Sequence, residues 1–403
     1  MKAGTQKSGL LTVPAKTSKS LAMIDSRREF LKWLAASPLL VSGASLARPE
    51  YAQPENIKQA LNIAHLQQLA EAKLDLDDYH FIVGGSDDMA TTAENISALK
   101  RVKVRPRRLV DVSQIDTSVV LFGKRYASPI ILAPVGNQLR VNSGGELATA
   151  RAAIDKQTLM ISSMMSNYSI AEIAEQGAPG WFQLYPSPNR EFMAYLLASA
   201  ELAGCDTVVL TVDGPTRGNH EAERWFRQNR DRSVPVARTR LGNFEAYSGR
   251  AGIGDPSMTW DDLNWLRANT SMNLVLKGIV TAEDARLCRK AGVDGVIVSN
   301  HGGRQEGNGR GTMDVLPEVA DVLSGKMPVL MDGGIRRGAD VFKAMAAGAD
   351  AVCVGRPYLF GLAAGGQDGV GLSLRILQTE FERTQIYAGV PESQRISVES
   401  IWR

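Results

Sequence analysis

Gly295-Val296-Ile297-Val298-Ser299-Asn300-His301-Gly302-Gly303-Arg304-Gln305 joins a short β-branched apolar run, the mark of a buried strand, to a polar turn loosened by two glycines. Directly past the strand end, a histidine and an arginine three residues apart put a titratable base and a fixed cation into one mouth. That pairing suits removal of a proton from an anionic substrate. A glycine-rich turn around a hydrogen-bonded histidine would read the same in isolation, so the rest of the chain has to decide between them.

Working outward, seven more short apolar runs share this form: Ile130–Ala133, Leu159–Ser162, Trp181–Leu184, Thr207–Val212, Asn273–Lys277, Val329–Asp332 and Ala351–Gly355. With Gly295–Ser299 they make eight. The segments between them, among them Glu146–Lys156, Arg190–Ala203, Ala282–Ala291 and Arg337–Ala347, have helical spacing and end near glycine. Eight strand and helix alternations over about 250 residues predict the α/β class, a (β/α)₈ TIM barrel whose site lies where strands run into their following loops. Polar residues collect at those ends: Pro134-Val135-Gly136, Ser163, Gln183 and Tyr185, Thr211 and Asp213, Lys277, Ser299 and His301, Asp332-Gly333-Gly334, and Gly355-Arg356. A set converging from all eight strands predicts one pocket.

Asp332-Gly333-Gly334-Ile335-Arg336 and Gly355-Arg356 follow the seventh and eighth strands, where barrels commonly hold a phosphate on backbone N–H groups and a helix N-terminus. Lys277 points into the same mouth, and Gln183 with Ser163 can hydrogen-bond an amide-like ring edge. A Schiff base on the lysine is one reading. A cation beside a phosphate-anchored heterocycle, as flavin mononucleotide requires, is the other.

Residues 56–100 form a helical preface, Ile57 to Ala72 and Leu76 to Val83, before the break Gly84-Gly85-Ser86-Asp87-Asp88; the barrel starts at about residue 129. The longest interruption, His220 to Met272, carries Arg224, Arg227, Arg230, Arg232, Arg238, Arg240 and Arg250. It is expected to be a solvated, mobile flap, with an electron acceptor or membrane headgroups as the other surfaces its charge would suit.

The chain has 403 residues, 44% of them hydrophobic, enough for one large core. Its formal charge of +3 comes from residues 1–47, which hold seven basic and two acidic side chains; the remainder is near neutral and implies no nucleic-acid partner. Cys205, Cys288 and Cys353 have neither disulfide nor metal spacing, so no metal is expected. Ser26-Arg27-Arg28-Glu29-Phe30-Leu31-Lys32 precedes an apolar run, Trp33 to Leu46, too short to span a bilayer stably. This resembles a twin-arginine export signal over residues 1–47, with Ser45-Leu46-Ala47 or Ala52 for cleavage. The mature domain would be 48–403, exported to the periplasm already folded.

From about residue 56 onward the chain is similar to the FMN-dependent α-hydroxy acid dehydrogenase/oxidase family, which includes glycolate oxidase, lactate oxidase and mandelate dehydrogenase. The matching motifs are Ala133-Pro134, Gln183-Leu184-Tyr185, Thr211-Val212-Asp213, Leu276-Lys277-Gly278, Ser299 to Gln305, Asp332-Gly333-Gly334-Ile335-Arg336-Arg337-Gly338 and Gly355-Arg356-Pro357. The resemblance implies an enzyme that oxidises a 2-hydroxy acid or related alcohol to the 2-oxo product. In it His301 is the base, Asp213 orients it, Arg304 grips the substrate carboxylate and Tyr185 bonds the substrate hydroxyl. It implies FMN held by Pro134, Val135, Gly136, Ser163, Gln183, Thr211, Lys277, Ser299, Asp332, Gly334, Arg336, Gly355 and Arg356. It also implies an electron acceptor such as oxygen, a quinone or a cytochrome, and a homo-oligomer, a tetramer in many members.

Two positions depart from the family. Phe81 stands where a tyrosine usually meets the substrate carboxylate, and Gly218-Asn219-His220 replaces a second arginine. Phe81 and His220 would then border a substrate larger than lactate, against an adaptable wall of Met164 and Met165. Two other classes share the phosphate site: a non-redox FMN barrel enzyme such as an isomerase, and a non-catalytic exported flavin-binding protein. Neither needs the set of His301, Asp213 and Arg304.

Overall fold

The computed structural model describes residues 53–177, 180–229, 240–323 and 325–402, so the export signal read over residues 1–47 lies outside the described residues. Eight parallel strands make one sheet: β1 Ile130–Leu132, β2 Ile161–Ser163, β3 Trp181–Leu184, β4 Thr207–Thr211, β5 Asn273–Ile279, β6 Gly295–Val298, β7 Val329–Met331 and β8 Ala351–Val354. β8 pairs with β1, and a parallel bridge between Leu132 and Met160 joins β1 to β2, which brings the ring nearly to closure. This is the expected (β/α)₈ barrel.

Successive strand residues point to opposite faces. Ile131, Ile161, Val209, Val275, Ile297, Leu330 and Cys353 therefore fill the barrel, while Ile130, Leu132, Val208, Leu210, Leu274, Val296 and Val352 pack outward into the core shared with the helices. Burial on both faces is why the strands read as unbroken apolar runs. Local signals fix the helices between them. Thr281 caps the helix Ala282–Ala291 by accepting from the Asp284 N–H, and Gly292 ends it at a φ of 66°.

One element closes an end of the barrel. Val119–Leu121 and Lys124–Tyr126 form an antiparallel hairpin whose Leu121 joins the interior cluster, and Phe122 meets the Trp181 ring at 5.5 Å. Trp181 begins β3, so this plug sits at the N-terminal mouth and the C-terminal mouth is left for polar chemistry. Leu121 is 1% exposed, and Leu121→Ala is expected to lower the unfolding free energy by about 2–5 kcal/mol, read from the shift in urea midpoint.

The preface holds a 3₁₀ turn Ile57–Gln59 and three helices, α1 Ile63–Lys73, α2 Leu76–Val83 and α3 Ala90–Arg101. The single helix expected over Ile57 to Ala72 is split, because the Asn62 side chain accepts from the His65 N–H and starts α1 there.

The interruption between β4 and β5 differs more from expectation. Its described part carries the helices Glu221–Gln228, Gly242–Glu245 and Asp262–Asn269, with Glu223, Asn243, Leu263 and Leu266 buried. The described part thus stays largely exposed, as expected, but it carries helices anchored by these few buried side chains. Three of its described arginines are engaged within the protein: Arg227 with Glu223, Arg240 with Glu172 and Glu245, and Arg224 with the Asn219 side chain. Arg230, Arg232 and Arg238 lie outside the described residues.

Candidate active site

The C-terminal mouth of the barrel opens into a cavity of about 630 Å³, within the range of small-molecule sites. The turn after β6 brings His301 to its wall in an unusual backbone state. His301, Gly302 and Gly303 have φ of 57°, 64° and 76°, and left-handed backbone at a histidine is a strain that the surroundings must hold. α3 supplies part of that hold. A Cβ at Gly303 would lie 2.5 Å from Thr92 Oγ1, so only glycine admits this approach. Next to it, Asn95 of α3 and Asn300 exchange reciprocal amide hydrogen bonds at 2.9 Å.

The histidine's protonation pattern follows from its neighbours. His301 Nδ1–H donates to Asp213 Oδ1 at 2.7 Å, which leaves Nε2 with its lone pair, and the Tyr185 hydroxyl donates to Nε2 at 3.3 Å. Burial alone would raise Asp213, yet the hydrogen bond from His301 and the positive charge of Lys277 outweigh it and hold the carboxyl below the ordinary range. For Tyr185, burial dominates and pushes the phenol up to about 12, so it stays a donor. Lys277 is buried between Asp332 at 3.2 Å and Asp213 at 3.8 Å. Burial opposes its charge, but the two carboxylates prevail and raise it above the usual lysine range.

Arg304 and Arg356 are held by the end of a helix. Arg304 donates to the carbonyls of Phe81 and Gly84, and Arg356 to those of Ile82, Gly84 and Gly302. The exposed carbonyls at the C-terminus of α2 favour cations, which ties the preface to the mouth. Phe81 presents its ring to two guanidiniums, 4.4 Å from Arg140 and 5.6 Å from Arg304. Arg140, which the sequence analysis missed, is committed elsewhere: Asp77, Asp78 and Glu223 all pair with it.

Of the residues expected at the site, Phe81, Pro134, Val135, Gly136, Ser163, Tyr185, His220, Lys277, His301, Arg304, Asp332, Gly334, Arg336, Gly355 and Arg356 line the cavity. Gln183, Thr211, Ser299 and Asp213 stand one layer behind it. Ser163 Oγ donates to Gln183 Oε1, the Gln183 amide to Thr211 Oγ1, and Lys277 Nζ to Ser299 Oγ, so these side chains orient the lining. His220 lines the cavity, but its Nε2–H donates to the Arg304 carbonyl at 2.8 Å. Only Met165 of the expected methionine wall faces the cavity; Met164 is fully buried, its sulfur accepting from the Tyr185 N–H.

The cavity asks for a phosphorylated, hydroxyl-bearing ligand. Arg336 and Arg356 line it without an ion pair among the described residues, and burial lowers Arg336 to about 10 and Arg356 well below the arginine range. A bound phosphate would reverse that penalty. The N–H groups of Gly333 and Gly334 have no acceptor among the described residues, and the buried Asp332 Oδ1 lacks a donor, as a hydroxylated chain would supply. Together with the raised Lys277, these residues fit the expected FMN.

Comparison with known proteins points the same way. The profile of the family described as FMN-dependent dehydrogenase matches residues 70–403. A peroxisomal (S)-2-hydroxyacid oxidase of Arabidopsis thaliana is 43% identical over 342 residues, covering 83% of this chain and 94% of that protein. An L-lactate oxidase of a Nostoc species is 38% identical over 360 residues, covering 84% and 97%. A solved structure of mandelate oxidase with benzoyl-formic acid superposes with a TM-score of 0.77 at 38% identity, over 83% of this chain and 96% of that one.

Proposed function

This chain belongs to the FMN-dependent dehydrogenase family, and on that premise we propose that it oxidises a 2-hydroxy acid to the 2-oxo acid, with His301 as the base. FMN, when bound, accepts the two electrons released as the alcohol becomes a carbonyl. The observation that carries the assignment is the His301–Asp213 hydrogen bond of 2.7 Å beside a cavity that Arg336 and Arg356 line with no ion pair among the described residues.

Each side chain then has a role set by its surroundings. His301 Nε2 takes a proton leaving the substrate, from C2 or from the hydroxyl; either route uses the same lone pair. Asp213 keeps that lone pair on Nε2. The Tyr185 hydroxyl orients the substrate oxygen, and Arg304, fixed by two carbonyls, binds the carboxylate. Ser163, Asp332, Gly334, Arg336, Gly355 and Arg356 would hold the cofactor, and Lys277 would supply positive charge to stabilise its reduced form. Gln183, Thr211 and Ser299 act through the residues they bond.

Phe81 in place of a phenol and Met165 on the wall favour a substrate bulkier than lactate. The motif Ser26-Arg27-Arg28-Glu29-Phe30-Leu31-Lys32 supports export to the periplasm through the twin-arginine route, which cell fractionation would check. Oxygen, a quinone or a cytochrome serves as final acceptor, and family resemblance supports a tetramer.

Anaerobic titration of the holoenzyme with a panel of 2-hydroxy acids tests the assignment. The visible flavin absorbance is expected to bleach with at least one of them, bulkier members before glycolate. A protein that binds FMN and bleaches with none would overturn it, in favour of the non-redox or non-catalytic readings.

A further inference from the structure

Arg217 lines the same cavity as Arg304, from the loop between β4 and the helix Glu221–Gln228. That loop is fastened to the histidine turn on the far side of Arg217. A Cβ at Gly218 would sit 2.0 Å from the Arg304 carbonyl oxygen, and the His220 ring donates to that same oxygen at 2.8 Å. One residue further, the Asn219 N–H donates to Ser86 Oγ at 3.2 Å, and the Asn219 carbonyl accepts from the Asp87 N–H at 2.9 Å. The backbone of Arg217 is therefore placed by bonds that make no use of its side chain.

Charge accounting separates Arg217 from the other cations near the substrate end. Lys277 is balanced by Asp332 and Asp213, and Arg140 by Asp77, Asp78 and Glu223. Arg304 has Glu223 at 4.0 Å, but that carboxylate already pairs with Arg140 and Arg227. Arg217 makes no ion pair among the described residues, and its charge adds to the repulsion that Arg304 feels. Apart from Arg336 and Arg356, which are assigned to the phosphate, two guanidiniums thus face the cavity with little compensating negative charge. A substrate with a single carboxylate neutralises one of them. A substrate with two neutralises both.

Given the 2-hydroxy acid oxidation assigned above, we propose that Arg217 is a specificity-determining residue that binds a second carboxylate at the far end of the substrate's side chain. Arg304 takes the carboxylate next to the reacting carbon, buried beside His301, and Arg217 takes the distal one at the exposed rim. The apolar span between them lies against Phe81, Met165 and Ile253, which line the same cavity. Dianionic 2-hydroxy acids are the favoured class. Because the rim is open to solvent, the preference weakens as ionic strength rises.

The test compares 2-hydroxypentanedioate with 2-hydroxypentanoate, which differ by the distal carboxylate, on the FMN-loaded enzyme. The wild type is expected to favour the diacid in kcat/KM by about two- to fivefold at low ionic strength, the size of a solvent-exposed ion pair. Arg217→Gln should bring the ratio to about one by raising KM for the diacid alone. Arg217→Lys should keep part of the preference, and Arg250→Gln, the same charge change outside the cavity, should leave it intact. Equal ratios in wild type and Arg217→Gln would overturn the proposal, as would a wild type that does not favour the diacid. Calorimetric titration with 2-oxopentanedioate and 2-oxopentanoate reads the same preference without turnover. A wild type that binds with this preference but oxidises neither acid would leave the role of Arg217 standing and remove the proposed activity.

Discussion

Replacing His301 with glutamine is expected to lower the rate of anaerobic flavin reduction by about 10²–10⁴-fold while FMN stays bound. The size follows from what glutamine keeps and what it loses. Its amide N–H₂ can still donate to Asp213 and its carbonyl can still accept from Tyr185, so the 2.7 Å and 3.3 Å contacts have substitutes and the turn has no reason to collapse. What disappears is a ring nitrogen that can accept a proton, because an amide carbonyl is not a base. Arg304 is fixed by the Phe81 and Gly84 carbonyls, independently of the imidazole, so affinity for a 2-oxo acid should change by less than about threefold. Rapid-mixing absorbance gives the reduction rate, and the visible spectrum of the same sample gives the bound flavin. A variant reduced at near wild-type speed would remove His301 from its role.

Much of the fold was legible because a barrel strand buried on both faces is largely apolar, and most of the eight runs are bounded by glycine, proline or polar residues. Ser299 to Gln305 was legible only in company: alone it reads equally as a glycine-rich turn, and the polar residues at the other strand ends decide for a site. Elements whose signal is not periodic were not legible. α3 buries Thr91 and Asn95 beside Ala98 and Leu99, so half of its inward face is polar and serves the hydrogen bonds to Asn300 instead of a core. The plug hairpin has strands of three residues, too short for alternation to register.

At the site, residue type was readable and layer was not. Whether a side chain faces the cavity or stands behind it depends on one residue of register. Met164 and Met165 turned opposite ways for that reason, and Gln183 and Thr211 fell behind Ser163. Arg140 and Arg217 were missed because charge balance is a property of spatial neighbours. Nothing in the sequence places Asp77, Asp78 and Glu223 around the first and none of them beside the second.

Asp213→Asn should produce a loss of the same order or larger, about 10⁴-fold in turnover, through an atom that never reaches the substrate. Asparagine matches aspartate in shape, but an amide nitrogen turned toward Nδ1 would push the proton to Nε2 and cancel the lone pair that His301 offers. An amide oxygen turned the same way would keep the tautomer and give up the charge that stabilises the imidazolium once the proton has arrived. Either orientation costs rate and leaves the Arg304, Arg336 and Arg356 contacts alone, so FMN content and 2-oxo acid affinity should hold. A purely structural role for Asp213 predicts the reverse, with cofactor lost and kcat per bound flavin preserved. Stability against pH gives a second, independent reading. The folded carboxyl of Asp213 lies below its unfolded value of about 3.9, so its contribution is present above that pH and is lost as pH falls through the folded value. The wild type should therefore lose stability below about pH 4 more steeply than Asp213→Asn, whose amide does not titrate; parallel curves would show that the charge pair with His301 and Lys277 does not hold the native carboxylate.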